Sequence, residues 1–295
     1  MGRIALVVTT MIWGTSFVLL KNTLDVITPL TIMAIRFLGS ALLMLIIGFK
    51  DLKKLDKDYV KGGIIMGLCV FCGYLLQTFG LEYTTPGKNA FLTATYCVIV
   101  PFLAWFIEKK RPDKFNLSAA VICIVGIGLV SLQDDLTVGI GDMLTAFCGF
   151  FFALHMIYTG KYAENRSPIL LNMIQFAVVG VLALILALIF EEPPAAVSFD
   201  VVLTMIYLCV MCTAVCYQLQ TFGQKYATAS SVAVIMPLES VFGTVVSVIF
   251  YGEHIGFRLF TGFVLIFAAI IISETKLGFL RKSRAARDKA YSASE

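Results

Sequence analysis

The chain has 295 residues, of which 59% are hydrophobic and only 14% are charged, and its formal net charge is +4. Soluble domains carry about 25% charged and about 45–50% apolar residues, so this composition excludes an ordinary soluble enzyme or scaffold. The basic residues lie in short segments beside apolar runs and do not cluster on a domain, so no nucleic-acid partner is predicted.

Apolar runs long enough to cross a bilayer recur along the whole chain. A run of about 18 or more apolar residues is typical of a transmembrane helix, because a helix satisfies its own backbone in lipid. The first run continues from Ile4 through Trp13 to Leu20 without a small-residue cleavage site, which predicts a retained helix and not a cleaved signal. We predict an all-α membrane protein with ten transmembrane helices, near residues 4–21, 29–49, 62–81, 87–107, 115–132, 141–160, 168–190, 201–223, 229–250 and 257–274.

Lysine and arginine are distributed unequally between the alternate ends of these helices. Of the 23 basic residues, 19 fall on the side of the N terminus, Lys21, Lys88 and Arg258 fall on the other, and Arg36 lies inside a span. Cytoplasmic loops are enriched in lysine and arginine. The sequence therefore predicts a multi-pass protein of the plasma (inner) membrane with both termini in the cytoplasm.

The two halves of the chain resemble each other. The sequence LQTFG at 76–80 recurs at 219–223, and Tyr74 and Tyr83 align with Tyr217 and Tyr226. We predict a first five-helix repeat in residues 1–133, a second in 139–277 and a basic cytoplasmic tail in 278–295. Because each repeat has an odd number of spans, the second is inserted upside down. Inverted repeats are typical of secondary transporters, which bind substrate between the repeats.

No metal or cofactor is predicted. All eight cysteines lie within apolar runs. Two pairs have CxxC spacing, Cys69 with Cys72 and Cys209 with Cys212, but a redox or metal site needs thiolates beside a cationic group, and buried cysteine usually packs as a small apolar residue. The sequence also has no Walker A, HExxH or GxSxG motif, so neither an ATP-driven pump nor an enzyme is predicted.

Several segments together resemble the EamA type of the drug/metabolite transporter superfamily. They are 12–17, 76–84, 89–93, 141–142, 227–240 and 252–253. The resemblance implies a five-plus-five-helix transporter whose central cavity is lined by helices one to four and six to nine. Members of the superfamily carry amino acids, other metabolites, vitamins or sugar conjugates, so the resemblance does not define the substrate. Helix six departs from the pattern, with Phe152 and Ala153 where many members have a tryptophan.

Glu239 is the candidate coupling residue. It lies about eleven residues into the ninth predicted helix, which is near the middle of the membrane. An ionised carboxylate is costly at that depth, so burial favours its neutral form, and polar groups within spans usually face a cavity or a partner. Glu239 is interpreted either as a proton site or as a structural residue that bonds a neighbouring helix.

Arg36 is the second charged residue within a predicted span. Arginine does not lose its proton in proteins, so it needs an anion, carbonyl groups or water. One interpretation is an anchor for a substrate carboxylate. The other interpretation is a structural role. Arg36 then either forms a fixed ion pair, with Glu239 as a candidate partner, or extends its side chain toward the membrane surface.

Paired polar and aromatic faces predict the substrate site. Tyr74 and Gln77 share one face of helix three, and Tyr217 and Gln220 repeat that face on helix eight, so the two faces are expected to oppose each other across a cavity. Further candidate substrate-binding residues are Trp13, Thr93, Tyr96, His155 and Tyr158. Pro101 and Pro237 are expected to interrupt helices four and nine beside this cavity.

The sequence thus predicts a secondary active transporter that moves small metabolites by alternating access, with export of amino acids or related compounds as the preferred activity. The alternatives are an uptake carrier for vitamins or nucleosides with the same fold, and a channel or lipid scramblase. The expected partners are a small-molecule substrate and membrane lipids, with protons as the candidate coupling ion. The sequence does not predict the oligomeric state.

Overall fold

The structure, a computed structural model, describes residues 1–109, 111–131, 138–164, 166–194, 196–226, 232 and 235–276. These residues are mostly helical, which confirms the predicted all-α class. Eight helices are long and apolar enough to cross a membrane, and two shorter apolar helices follow them. The predicted tail, 278–295, and residues 229–231 at the start of the ninth predicted span lie outside the described residues.

The helices are named α1 to α10 in chain order, and α4 consists of two pieces. A short 3-10 helix, Phe49–Lys54, extends α2. The bounds are α1 Gly2–Leu24, α2 Pro29–Gly48, α3 Lys57–Glu82, α4 Pro86–Ala94 and Tyr96–Glu108, α5 Lys114–Ser131, α6 Ile140–Ala163, α7 Pro168–Phe190, α8 Phe199–Tyr226, α9 Leu238–Tyr251 and α10 Phe257–Thr275.

Local sequence explains where several helices begin. Pro29, Pro86 and Pro168 occupy the first positions of α2, α4 and α7, where the missing N–H of proline costs no helical hydrogen bond. Asp56 caps α3, because its carboxylate accepts a hydrogen bond from the Tyr59 backbone N–H at 2.8 Å. Polar connections and caps therefore define the ends of these apolar helices.

The interruption of α4 lies at Thr95, whose hydroxyl donates to the Leu92 carbonyl at 2.6 Å. Pro101 lies inside the second piece of α4, so the expectation that Pro101 itself breaks this helix was wrong. A proline disturbs the turn that precedes it, because its ring clashes with a carbonyl four residues earlier, and here the break falls further toward the N terminus. In α9 the expectation is met, since its described helix begins directly after Pro237.

A π-helical stretch, Val210–Val215, lies in the middle of α8 and was not predicted from the sequence. A π-helix bonds i to i+5, so some carbonyl groups become available to other partners. The Cys212 carbonyl accepts hydrogen bonds from Trp13 Nε1 at 2.8 Å and from Arg36 Nη2 at 3.3 Å. The stretch thereby connects α8 to both α1 and α2.

The largest interfaces join the first five helices to the last five. Helix α2 packs on α7, α3 on α6 and α7, α5 on α10, α1 on α8 and α9, and α4 on α6 and α9. At Gly14 a Cβ atom would lie 2.6 Å from the Cβ of Phe242, so this close approach of α1 and α9 requires glycine. Buried apolar side chains from both groups of helices form one large core, and a smaller separate cluster surrounds Tyr59 and Tyr162.

Candidate functional site

A cavity lies inside the bundle between α1, α3, α4, α6, α8 and α9. Its lining combines aromatic surface with a few polar groups, as is usual for small-molecule sites. The predicted site residues that line it are Trp13, Tyr74, Gln77, Thr93, Tyr96, His155, Tyr217, Gln220 and Glu239. Five further lining residues were not selected from the sequence: Ser16, Phe17, Phe152, Met156 and Met236.

Aromatic rings form one connected wall of the cavity. Trp13 meets Tyr217 edge-on with ring centroids 5.2 Å apart, and Tyr74 meets Phe152 in the same way at 5.5 Å. Tyr74 and Tyr217 lie 6.5 Å apart and join the two pairs. Phe152 supplies an aromatic surface on α6 although the tryptophan of many family members is missing there. Edge-to-face contacts fix ring orientation, so the wall is preorganised.

The two glutamines of the paired faces differ in their bonding. Gln77 Nε2 donates to Thr93 Oγ1 at 3.0 Å, so its amide is oriented by α4. Gln220 Oε1 is buried and has no hydrogen-bond partner among the described residues. A buried acceptor without a partner is costly, and this oxygen lies on a residue that lines the cavity.

Glu239 lies in the first turn of the described part of α9 and is only 4% exposed. The partial positive charge of a helix N terminus favours a carboxylate at this position, whereas burial opposes one. The Tyr96 hydroxyl lies beside the Glu239 carboxyl, but it forms no well-aligned hydrogen bond with any described residue. Glu239 and Tyr96 therefore give one part of the cavity lining a carboxyl group and a hydroxyl group that can bond to a ligand.

Arg36 lies behind the aromatic wall and does not line the cavity. Its guanidinium donates to Thr213 Oγ1, to the Tyr74 hydroxyl at 3.2 Å and to the Cys212 carbonyl at 3.3 Å. It also stacks on the Tyr74 ring, with 4.8 Å from Cζ to the ring centroid. The structure contains no ion pair between Arg36 and Glu239, so that expectation was wrong: carbonyl, hydroxyl and aromatic groups surround this cation.

His155 belongs both to the cavity and to a buried polar network. Its Nε2 lies 3.0 Å from Gln175 Oε1, and Gln175 Nε2 donates to Asn172 Oδ1 at 2.6 Å. Tyr158, one turn away on α6, does not line the cavity and stacks near Tyr162 with 6.4 Å between ring centroids. The predicted site therefore divides into cavity-lining residues and two residues, Arg36 and Tyr158, that lie outside the lining.

A second polar cluster lies at the end of the bundle where α4 and α6 begin, called here the Lys88 end. Lys88 Nζ lies 3.0 Å from Asp142 Oδ2, and Thr84 donates to the same carboxylate. Glu253, in the connection between α9 and α10, accepts from the Gly87 backbone N–H at 2.9 Å and from the Thr85 hydroxyl. These residues were not among the predicted site residues. Free N–H groups at the start of α4 attract carboxylates, but nothing near Pro86 in the sequence indicates that the distant Glu253 meets them.

Apolar helices around a central aromatic and polar cavity define a multi-pass membrane protein of the transporter class. The sequence profile of the EamA-like transporter family matches residues 1–132 and again 139–275. The chain belongs to this family, which confirms the resemblance noted from the sequence.

Relatives support this membership. A protein of Archaeoglobus fulgidus is 31% identical over 92% of this chain and 85% of its own length, and one of Clostridium kluyveri is 24% identical over 86% and 87%. Both are named only as uncharacterized transporters. One solved crystal structure has a similar fold, with a TM-score of 0.66 over 91% of this chain and 95% of that chain at 11% identity.

Proposed function

We propose that this protein is a secondary active transporter of the plasma (inner) membrane that exports amino acids or related small metabolites by alternating access. The observation that carries this proposal is the meeting of two interrupted helices at one cavity. Helix α4 is interrupted at Thr95, and the described part of α9 begins after Pro237. The alignment of 76–80 with 219–223 makes these two positions equivalent. Interrupted helices at equivalent positions mark the binding sites of transporters with inverted repeats.

The proposal includes two inverted five-helix repeats, 1–133 and 139–277, with both termini in the cytoplasm. The family profile matches each of these halves separately. Packing gives independent support, because α2 with α7, α4 with α9 and α5 with α10 are interfaces between equivalent helices. A twofold axis between two repeats generates contacts of this kind.

The polar groups of the cavity suggest a zwitterionic substrate. Glu239 and the unpartnered Gln220 Oε1 are acceptors that suit an ammonium group. The Tyr74 hydroxyl accepts a hydrogen bond from Arg36, and its O–H is the proposed donor to a substrate carboxylate. The aromatic wall around Tyr217 suits an apolar or heteroaromatic side chain. An amino acid offers all three features.

Protons are the proposed coupling ion, and Glu239 is their proposed site. Its carboxyl is buried beside the cavity and close to the Tyr96 hydroxyl. A proton and a substrate ammonium group would compete for this carboxylate, so an inward proton gradient would release substrate to the outside. Coupling requires that the carboxyl binds protons with different affinity in the two access states.

Transport by purified protein in proteoliposomes tests the proposal. A thermal-shift screen of amino acids, vitamins and nucleosides identifies a ligand, and counterflow of that ligand then separates a carrier from a channel. Saturable counterflow of an amino acid or a close relative is expected. Binding of vitamins or nucleosides alone would favour the uptake carrier, and flux without saturation or counterflow would favour a channel or scramblase.

A further inference from the structure

A groove on the membrane-facing side of the bundle, called here the lateral groove, lies between α2, α3 and α7. Its walls are apolar and include Leu42 and Leu45 on α2, Ile64 and Leu68 on α3, and Val181 on α7. The space between these walls, counted together with the open space at its mouth, is about 1420 Å³. In a bilayer such a space is filled by hydrocarbon, since water cannot be accommodated on an apolar surface at that depth.

Two glycines of α3 contact α7 residues that line the lateral groove. A Cβ atom at Gly63 would lie 2.5 Å from the Cβ of Ile174, and one at Gly67 would lie 2.8 Å from the Cβ of Val178. Helices α3 and α7 therefore approach each other more closely than side chains on both helices would allow. The side chains on either side of this crossing stand above the contact and create the walls. The groove is thus a consequence of how two halves of the chain pack.

The lateral groove continues into a second hollow that ends in basic residues. The hollow shares Val60 and Ile64 with the groove and is also lined by Lys57 and Lys61. These two lysines are four residues apart, so they lie on one face of α3. Both are exposed, and neither forms an ion pair with a described residue.

Nearby carboxylates are already engaged. Asp56 also lines the hollow, but its Oδ1 accepts the Tyr59 backbone N–H at 2.8 Å. Asp58 Oδ2 lies 2.9 Å from Arg166 Nη2. Asp56 keeps its own negative charge, so the lining at the mouth of the lateral groove carries two lysine charges and one carboxylate charge, directly beside the apolar groove.

We propose that the lateral groove binds one acyl chain of an anionic phospholipid, whose headgroup phosphate lies at Lys57 and Lys61. The repeat alignment supplies an internal comparison, because the positions equivalent to Lys57 and Lys61 are Asp200 and Thr204 on α8. The basic mouth is therefore specific to one side of the membrane, which the proposed orientation identifies as the cytoplasmic leaflet. The lipid contacts helices of both proposed repeats, so it would stabilise one arrangement of them.

Fluorescence quenching by brominated lipids tests the site on the full chain, reconstituted in phosphatidylcholine vesicles with increasing brominated phosphatidylglycerol. The reporter is Leu42→Trp, on the groove wall, in a Trp105→Phe background. Trp13 remains because it is buried in the central cavity. The control reporter is Val121→Trp. Val121 is exposed on α5, and its distance from the start of α5 is similar to the distance of Leu42 from the end of α2. We expect stronger quenching by phosphatidylglycerol than by brominated phosphatidylcholine at Leu42→Trp, and equal quenching at Val121→Trp.

The lysines are tested in the same assay. Lys57→Gln with Lys61→Gln should lower the preference for phosphatidylglycerol at the groove by about tenfold, whereas Lys109→Gln with Lys114→Gln, which removes two charges at the other side of the bundle, should not. Equal lipid preference at both reporters, or an unchanged preference in the Lys57 and Lys61 variant, would overturn the proposal. The proposal would also be overturned if neither lipid quenched Leu42→Trp and copies of the chain cross-linked to each other, because a second chain would then occupy the groove. Since lipid binding is measured without transport, failure of the transport proposal would not affect the result.

Discussion

Lys88 and Asp142 form an ion pair between the first and last five helices, with 3.0 Å between Nζ and Oδ2. Asp142 is almost fully buried, and the Thr84 hydroxyl also donates to it. If the protein works by alternating access, this contact closes the Lys88 end of the cavity and must open for substrate to leave.

The first prediction is therefore that Lys88→Gln opens the Lys88 end more often. Loss of one partly exposed charged hydrogen bond is worth about 1 kcal/mol, which is about fivefold in population. A Ser16→Cys reporter in the cavity should react about fivefold faster with a membrane-impermeant thiol reagent added outside. Lys21→Gln is the matched control, because Lys21 bonds only the carbonyls of Leu81 and Glu82 within the first repeat. An equal increase in this control would contradict the gating role.

The second prediction concerns the two cavity glutamines. Gln77→Ala and Gln220→Ala should each raise the KM for substrate by about 5- to 10-fold, since each removes about one hydrogen bond to the ligand. Thermal stability should change little. Gln224→Ala is the matched control, because Gln224 is on α8 but does not line the cavity. Wild-type KM in both cavity variants would show that these glutamines only pack.

The third prediction separates the two interpretations of Arg36. Tyr74→Phe removes the hydroxyl that accepts a hydrogen bond from Arg36 and is proposed to bind a substrate carboxylate, so it should weaken transport of an amino acid more than transport of its carboxamide analogue. Arg36→Lys should instead lower thermal stability, because an ammonium cannot replace the planar guanidinium in its bonds to Thr213 and Cys212. Equal loss for both substrates in Tyr74→Phe would indicate a purely structural tyrosine.

The sequence alone predicted much of the fold and much of the cavity lining. Apolar runs predict helices because lipid leaves the backbone no other partner, and the sequence similarity between the halves selected Tyr74, Gln77, Tyr217 and Gln220, all of which line the cavity. Conformation within helices was not predictable in this way. The break at Thr95 depends on local bonding, and the π-helical stretch of α8 depends on contacts from Trp13 and Arg36 that are distant in sequence.

The hydrogen-bond and ion-pair partners of the charged residues could not be predicted from the sequence either. A buried arginine and a buried glutamate within predicted spans suggest an ion pair, yet Arg36 bonds to Tyr74, Thr213 and Cys212. Which group a long side chain meets depends on helix rotation, and apolar periodicity is weak in helices that are apolar on all sides. The contact between Lys88 and Asp142 was not predicted for a related reason, since it joins residues that are far apart in the sequence.

A fourth prediction concerns pH dependence outside the membrane. Asp113 caps α5 and lies 2.7 Å from Lys276 at the end of α10, and this hydrogen bond from Lys276 holds the pKa of the Asp113 carboxyl below its ordinary value. A lowered folded-state pKa adds stability above the unfolded value, near about 3.9, and the addition is lost as pH falls through the folded value.

Asp113→Asn keeps the cap but loses this charge. Its Tm should be about 1–2 °C below wild type at pH 7, and the two proteins should converge below about pH 4. Lys276→Gln should reproduce the same pattern. A Tm difference that persists unchanged at acid pH would contradict this account.

The most direct test of the transport mechanism is a comparison of two fluxes in one Glu239→Gln variant. Glutamine keeps the size and hydrogen bonding of Glu239 but cannot titrate. Substrate exchange and flux driven by a pH gradient are measured on the same proteoliposomes, with Glu192→Gln, an exposed-connection variant, as the control. We expect Glu239→Gln to retain exchange and to lose acceleration by the gradient, while the control keeps both. Retained acceleration in Glu239→Gln would contradict coupling at this carboxyl.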